Sequence, residues 1–433
     1  MMRSTSVSIS LSTPSQKRSS SSSSSTAAVE DITITTALKV PGTVYLLSTA
    51  VVARLPQAMS SLAIVRLVRD QDGSYALASA LTALFVAVGV VGQPLLARLV
   101  DTTGRSRVVL LSSALLSSLA LVGLALTAVS IPALGVVFTI LAGVASPPVE
   151  SCLRSLWARM MTPGKQLHSA FSFDAAAQEI LFIAGPLVTA LGIIAFGAQG
   201  NVFLMAGLGL AGTIAFASHQ RLAYRAPVRA ADNADRHQGL LLRLPALRRL
   251  VIVQFTVGVP VGVLTISATA YGELVGATNV SAWGLAINAV GALIGAIVIA
   301  RRPLATPPHR AIRWLLLALG VLYLPTAIGA LPVAGWLVAA LVAGLMLSPL
   351  LTQVFTQTEL VSPAERLNEA NAWVVSAMTV GIALGTIAAG LIVAALPGAP
   401  GIATMVIAGS VVAIVGSALA SPATLAHLPR SRA

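Results

Sequence analysis

Long apolar stretches separated by short polar segments run through most of this chain. The stretches are continuous and rich in Ala, Leu, Val and Gly, which favours helices over the alternating strands of a membrane β-barrel. A helix of about 20 apolar residues crosses the hydrocarbon layer of a bilayer. The sequence therefore predicts twelve transmembrane helices, near residues 42–64, 75–97, 108–128, 132–157, 168–194, 201–218, 248–270, 280–300, 311–330, 332–357, 367–393 and 400–420.

Composition agrees with a membrane protein. Hydrophobic residues make up 56% of the 433 residues and charged residues only 9%, whereas soluble domains carry about 25% charged residues. The formal net charge is +13, but the basic residues are scattered among short loops, so we attribute the excess to membrane topology and expect no nucleic-acid partner. The bilayer is the expected surrounding.

The distribution of arginine between loops predicts an orientation, because cytoplasmic loops retain positive charge. Loops on one side carry Arg98, Arg105, Arg107, Arg159, Arg301, Arg310 and Arg366. The loops on the opposite side contain only Arg66 and Arg69, which Asp70 and Asp72 offset. We expect a multi-pass protein of the cell (inner) membrane with both termini in the cytoplasm.

Two halves of six spans each are expected from the spacing of the stretches. Residues 141–149 contain Leu-Ala-Gly followed by Ser146-Pro147, and about 200 residues later Val-Ala-Gly precedes Ser348-Pro349. This similarity indicates two pseudo-symmetric six-helix bundles with a pathway between them. The expected divisions are a disordered Ser-rich tail at 1–40, bundles at 41–218 and 248–421, a cytoplasmic linker at 219–247 and a tail at 422–433.

The loop after the second span has a recognisable pattern of Asp101, Gly104, Arg105 and Arg107. Gly104 permits a tight turn, Asp101 can accept from backbone donors or arginine, and the arginines can hold helix ends or anionic headgroups. A plain positively charged cytoplasmic loop is the alternative interpretation. The residues alone leave open whether this loop is a gating latch or a plain cytoplasmic loop.

This loop, together with twelve spans, a basic central loop and duplicated halves, resembles the Major Facilitator Superfamily of secondary transporters. The resemblance implies that Asp101 and Arg105 help to close the cytoplasmic side while the cavity opens outward. The chain departs from the family loop at Ala97, where glycine is usual, and at Thr102, where arginine is usual.

The chain resembles a bacterial, exporter-like subgroup of this superfamily at Arg54-Leu55-Pro56, at Pro147-Pro148 followed by Arg154 and Trp157, and at Glu179 before Gly185-Pro186. Gly185-Pro186 also partly matches the antiporter motif, which favours antiport over symport, whereas a helix kink with close packing of small residues is the alternative interpretation.

Ionisable residues inside the predicted spans are candidates for function, because charge is costly in hydrocarbon. Arg54 lies mid-span with Gln57 on the same helical face, and Glu179 has similar depth in span five with Asp174 nearer the cytoplasm. The family resemblance implies that spans one and five are close. We hypothesise that Arg54 and Glu179 interact across the cavity and that Glu179 carries protons.

Glu150 and Arg154 are four residues apart in span four and so share one helix face. An internal ion pair that supports packing competes here with a role in the solute pathway. The sequence leaves both open.

The second half offers neutral polar side chains instead. Asn288, Gln353, Gln357, Asn371 and Trp373 can bind a solute without fixing its charge, although such groups also join helices. A cavity that is ionisable on one half and neutral on the other suits an amphiphilic or cationic organic solute.

The functional prediction is proton-coupled efflux of a small organic solute by alternating access. A proton-coupled symporter or facilitator that imports a metabolite is the alternative, and an integral membrane enzyme or sensor a remote one. The sequence has no phosphate-binding loop and no His and Cys cluster, so we expect no cofactor, no metal and no catalysis. A monomer with a small-molecule solute and protons as partners is expected.

Overall fold

The computed structural model describes residues 40–162, 164–219, 241–277, 280–301, 304 and 306–420, and this part of the chain is helical without strands. Its α-helices are α1 Thr43–Asp70, α2 Tyr75–Thr103, α3 Ser106–Thr127, α4 Pro132–Val144, α5 Val149–Met160, α6 Lys165–Ser218, α7 Pro245–Leu274, α8 Val280–Arg301, α9 Pro308–Tyr323, α10 Val333–Gly344, α11 Leu347–Val361, α12 Leu367–Ala395 and α13 Ala399–Leu419. Short 3₁₀ turns lie at Leu241–Arg243, Leu324–Ala327 and Ala364–Arg366.

Twelve membrane spans follow from these helices. Eleven helical segments of the described residues are long and apolar enough to cross a bilayer. The longest, Gln166–Ser218, contains 53 residues, which would extend about 80 Å if straight. It is broken at Gly197, whose φ of 72° and ψ of 174° are not helical, and therefore supplies two spans.

Spans four and ten are each interrupted near the middle. α4 ends at Val144 and α5 begins at Val149, and Pro147 and Pro148 lie in the gap. Proline has no N–H to donate and disfavours helix in the residue before it, so the helix stops there. In the second half α10 ends at Gly344 and α11 begins at Leu347. The two interruptions occupy corresponding positions, as the repeated Gly and Ser-Pro residues predict.

The helices pack as two bundles of six spans, which confirms the predicted fold class. In the first bundle α1 packs on α6, α2 on α4, and α3 on α4 and α6. In the second bundle α7 packs on α12 and α13, α8 on α10, and α9 on α11 and α13. The contact between α7 and α12 is close because Gly258 faces the Met378 carbonyl and Gly381 faces the Phe255 carbonyl. Small residues permit such approach in membrane helices.

The two bundles meet along α2 and α5 against α12, and along α6 against α8 and α11. We use the term arginine-rich end for the end of the molecule that contains Arg98, Arg107, Arg159 and Arg366, where α2, α5 and α11 finish. The predicted tails, apart from Val40, and most of the predicted linker lie outside the described residues.

Candidate functional site

Four buried charged side chains form a closed ring inside the first bundle. Glu150 pairs with Arg54 at 3.2 Å and also with Arg154. Asp174 pairs with Arg54 at 3.2 Å and with Arg154 at 2.5 Å. Each acid therefore contacts both arginines, and the ring has no net charge. The exposed fractions of the four residues are between 0% and 7%, so this neutrality is what makes their burial tolerable.

Three helices position the ring. Arg54 comes from α1, Glu150 and Arg154 from α5, and Asp174 from α6. Because α5 starts at the proline interruption, Glu150 lies in its first turn, where the helix dipole favours a carboxylate. Arg154 follows one turn later on the same face, and the two side chains form the internal ion pair that is one of the two interpretations left open by the sequence. The ring also shows that Asp174 belongs to the same cluster.

The predicted contact between Arg54 and Glu179 is wrong. Arg54 donates to the carboxylate of Asp174 and to the amide oxygen of Gln178, besides its ion pair with Glu150. Successive residues on a helix are rotated by about 100°. Since Gln178 faces Arg54 from α6, the next side chain, Glu179, points elsewhere.

Glu179 is buried, with 4% of its surface exposed, and its Oε1 has no hydrogen-bond partner among the described residues. Tyr323, at the end of α9 in the second bundle, interacts electrostatically with Glu179 and lies beside Asn288 of α8. The Tyr323 hydroxyl makes no hydrogen bond of regular geometry within the described structure. Glu179 therefore faces the second bundle instead of the ring.

Arg154 connects the ring to the second bundle. Its guanidinium lies 3.5 Å from the centroid of the Phe355 ring on α11, a cation–π contact. Phe355 also packs against Phe171 of α6, with ring centroids 6.3 Å apart. The Nη1 of Arg154 is buried and has no hydrogen-bond partner among the described residues. Phe355 was not identified from sequence, because an isolated apolar residue in an apolar span carries no signal.

Asp101 also reaches across to the second bundle. Its carboxylate accepts from Asn368 Nδ2 at 2.5 Å and from the Glu369 backbone N at 2.8 Å. Glu369 lies in the first turn of α12, where backbone N–H groups lack partners within the helix. Ser155 of α5 donates to Asn368 as well. Of the two donor types expected for Asp101, the structure shows a backbone donor.

The rest of the predicted gating loop acts within the first bundle. Gly104 ends α2 with φ of 62°, a left-handed conformation that suits glycine. Arg107 donates to the carbonyls of Ser218 and His219 at 3.1 Å each, and so holds the end of α6. Arg105 is exposed. Among the described contacts of this loop, Asp101 is the residue that joins the two bundles.

Two of the five polar residues selected in the second bundle bind carbonyls of their own bundle. Asn288 donates to the Ala340 carbonyl at 2.9 Å, and Asn371 donates to the Leu367 carbonyl at 3.0 Å. Gln353 and Gln357 are each 3% exposed. Trp373 is half-buried, and its Nε1 has no hydrogen-bond partner among the described residues. No described contact brings Asn288, Gln353, Asn371 or Trp373 to the charged ring.

Gln57 lines a small cavity in the first bundle together with Ser117, Ser118 and Ser146. The three serine hydroxyls donate to backbone carbonyls. Gln57 is on the same helix as Arg54 but does not join the ring. Gly185 packs against Ala58 of α1, which favours the close-packing interpretation of Gly185-Pro186.

A comparison with family models decides the classification. The model described as Major Facilitator Superfamily matches residues 46–386. The chain belongs to the Major Facilitator Superfamily. Members of this superfamily are transporters, so this chain is a multi-pass secondary transporter of a solute.

Solved structures share the fold at low sequence identity. The human organic anion transporter MFSD10 (TETRAN) has a TM-score of 0.67 and 16% identity, covering 88% of this chain and 100% of that one. A bacterial homologue of the iron transporter ferroportin, in an outward-facing state with soaked iron, has a TM-score of 0.64 and 15% identity, with 87% and 98% covered. The E. coli fucose:proton symporter FucP has a TM-score of 0.64 and 13% identity, with 88% and 98% covered.

The comparison with individual curated proteins gives no match.

Proposed function

We propose that this superfamily member exports a small organic solute in exchange for protons, by alternating access of its two bundles. The observation that supports proton coupling is Glu179, a buried carboxyl group at the interface between bundles without a cation partner in the described structure. An ionised carboxylate in such a place carries a desolvation penalty that a bound proton removes. The charged ring is already neutral, and Glu179 is the mid-span carboxyl group outside it to which we assign proton exchange.

Alternation requires that contacts at the arginine-rich end form and break. We infer that this end faces the cytoplasm, because positive loops stay there. The contacts of Asp101 with α12 and of Arg154 with Phe355 then close the cytoplasmic side. Both join a charged group of the first bundle to a neutral partner on the second. Separating them would expose the ring and open the pathway inward.

The proposed pathway retains the residues selected from sequence, with roles adjusted to their positions. The ring orients the first bundle, Glu179 carries the proton, and the neutral residues of the second bundle contact solute. The pathway residues are Arg54, Gln57, Glu150, Arg154, Asp174, Glu179, Asn288, Gln353, Gln357, Asn371 and Trp373. The proposed gating residues are Asp101, Gly104, Arg105 and Arg107.

We further propose a monomer in the cell (inner) membrane with both termini in the cytoplasm. The bundles at 41–218 and 248–421 move as the two rigid units, joined by a cytoplasmic linker at 219–247 and flanked by tails at 1–40 and 422–433. Protease digestion of epitope tags at either end, in intact cells and in everted vesicles, tests the orientation. Cleavage in intact cells would contradict it.

Replacement of Glu179 by Gln tests proton coupling. Everted vesicles receive an imposed proton gradient followed by tetraphenylphosphonium, p-aminohippurate or L-fucose, as a cationic, an anionic and a neutral probe. The expected result is that tetraphenylphosphonium partly collapses the gradient with the wild-type protein, and that Glu179→Gln lowers the rate at least tenfold. Glu273→Gln, an exposed carboxyl at the end of α7, is the matched control and keeps the wild-type rate.

If the Glu179→Gln variant released protons at the wild-type rate, the assignment of Glu179 as the proton carrier would be contradicted. Absence of any solute-linked proton movement with all three probes would count against proton-coupled exchange. A response to p-aminohippurate in place of tetraphenylphosphonium would keep the exchange but change the solute class.

Import by proton symport is the second candidate, favoured by the fold shared with the fucose:proton symporter. The two directions differ in the sign of proton movement when solute is added outside. In intact cells without an energy source, a symporter makes the medium alkaline on addition of solute, whereas an exchanger makes it more acidic. If the medium became alkaline on addition of L-fucose or another probe, the proposed direction of transport would change from export to import.

A further inference from the structure

Two buried polar side chains of opposite bundles lie close enough for electrostatic interaction. Glu179 Oε1 belongs to α6 and the Tyr323 hydroxyl to the end of α9, and neither has a regular hydrogen bond within the described structure. Tyr323 is 2% exposed. Because neither oxygen is satisfied in this arrangement of the bundles, each can take a new partner when the bundles move.

Both groups lie at the same depth. Glu179 is about 21 Å along α6 and Tyr323 about 22 Å along α9, at 1.5 Å per residue, and both helices start at the arginine-rich end. α6 packs on α8, and Asn288 of α8 lies beside the Tyr323 hydroxyl. Asn288 itself is held by its bond to the Ala340 carbonyl. The tyrosine is therefore a donor next to a fixed amide, facing a carboxyl group of the other bundle.

Other charged groups on the elements packed against α6 are already engaged or distant. The ring occupies Arg54, Glu150 and Arg154 at mid-depth. The charged residues nearer the helix ends are Arg66, Arg69 and Asp70 of α1, Arg107 of α3, Arg159 of α5, Arg301 of α8 and Glu359 of α11. Tyr323 is thus the O–H donor that the described structure offers to an ionised Glu179.

We propose that Tyr323 is a positioning residue for proton exchange at Glu179, which deepens the proposed function and rests on it. When Glu179 releases its proton to water, the side chains of Tyr323 and Glu179 approach each other and the Tyr323 O–H donates to the carboxylate across the two bundles. When Glu179 binds a proton again, the carboxyl group is neutral and the hydroxyl returns to Asn288. Tyr323 keeps its own proton throughout, so the hydroxyl sets the pH at which the bundles exchange states.

The sole cysteine of the chain reports this exchange without any added solute. Cys152 is buried on α5 and lies close enough to Asp101 and Arg159 for electrostatic interaction. Ser155, one turn later on the same face, bonds to α12. Separation of the bundles at the arginine-rich end uncovers this face, so the rate of Cys152 alkylation by N-ethylmaleimide measures opening.

The test compares Tyr323→Phe with the wild-type protein in membranes between pH 5.5 and 8.5. Glu179→Gln supplies the pH dependence of the thiol reaction itself, since it retains Cys152 but lacks the carboxyl group. Loss of the donor destabilises the ionised carboxylate, so the midpoint of alkylation in Tyr323→Phe moves to higher pH by about one unit. The matched control is Tyr271→Phe, which removes a buried hydroxyl bonded to the Leu331 carbonyl and leaves the midpoint unchanged.

A midpoint in Tyr323→Phe equal to that of the wild type overturns the proposal, as does a wild-type profile identical to that of Glu179→Gln. Tyr323→Leu is a second hydroxyl-free variant and should shift the midpoint in the same direction; opposite shifts would also overturn it. Solute-linked proton movement in everted vesicles tests the proposed function separately, because that measurement does not depend on Cys152. An unshifted midpoint with intact solute-linked proton release would reject Tyr323 alone.

Discussion

The two bundles share an architecture but stabilise their interiors differently. Alignment of Ser146-Pro147 with Ser348-Pro349 places Thr352 and Thr356 where the first bundle has Glu150 and Arg154. Both threonine hydroxyls donate to carbonyls of their own helix, at 2.9 and 2.8 Å. The charge network therefore belongs to one bundle, while the matching helix of the other is satisfied locally.

The same difference organises the interface between bundles. Asp101 and Arg154 supply the charges from the first bundle, and the second supplies neutral partners: the backbone N of Glu369, the amide of Asn368 and the ring of Phe355. The described contacts of Asp101 and Arg154 across this interface include no salt bridge that must break when it opens. Charge-assisted hydrogen bonds are nevertheless stronger than neutral ones, so the closed arrangement is specific.

Removal of one charge from the ring should have the largest effect. Asp174→Asn leaves two buried arginines with a single acid, and we expect the free energy of unfolding to fall by about 3 kcal/mol, with loss of solute-linked proton movement. Adding Arg54→Gln removes the excess charge and should recover part of the stability. Gln254→Leu, which replaces a buried amide of the second bundle in contact with the Met378 sulfur at 3.2 Å, should lower stability by less than about 1.5 kcal/mol. Thermal unfolding in detergent measures the stability of each variant. Equal losses of stability for Asp174→Asn and Gln254→Leu would show that the bundles do not differ as described.

Substitution of Asp101 should have the second-largest effect, because its contacts cross the interface between the bundles and do not support the interior of either bundle. Asp101→Ala removes two charge-assisted hydrogen bonds, and we expect alkylation of Cys152 to accelerate about tenfold. Asp101→Asn is the matched control, since it makes the same change of charge near the thiol but keeps one acceptor oxygen, and its rate should lie between wild type and alanine. Equal rates for the two variants would mean that charge near the thiol, and not the contact with α12, governs labelling.

Glycine substitutions should show the smallest difference between the two bundles. In α12, the Cβ of Gly381→Ala would overlap the Phe255 carbonyl, whereas that of Gly390→Ala meets nothing within 4 Å. In α6, Gly212→Ala would overlap the backbone of α1, and Gly207→Ala meets nothing within 4 Å. We expect losses of about 1 to 3 kcal/mol at the two contact glycines and small gains at the two controls. Different responses in the two bundles would show that backbone packing, as well as charge, distinguishes them.

The sequence determined the number of spans and their division into two bundles, and it contains the repeated Ser-Pro residues beside which spans four and ten are interrupted. These features depend on hydrophobic length and on local proline and glycine chemistry, both of which are written along the chain. The pairing of Glu150 with Arg154 was equally local, since residues four apart share a helix face. Asp101 was expected to accept from backbone donors or from arginine, and the structure shows a backbone donor.

Only the tertiary structure decided which helix faces meet. Arg54 reaches Gln178 and not Glu179, a difference of one residue that rotates a side chain by about 100°. The roles of Asp174 in the ring, of Phe355 against Arg154 and of Tyr323 near Glu179 also required the packing of helices distant in sequence. A sequence of apolar residues fixes the length of a membrane helix, but the rotation of each helix about its axis is set by close contacts with its neighbours.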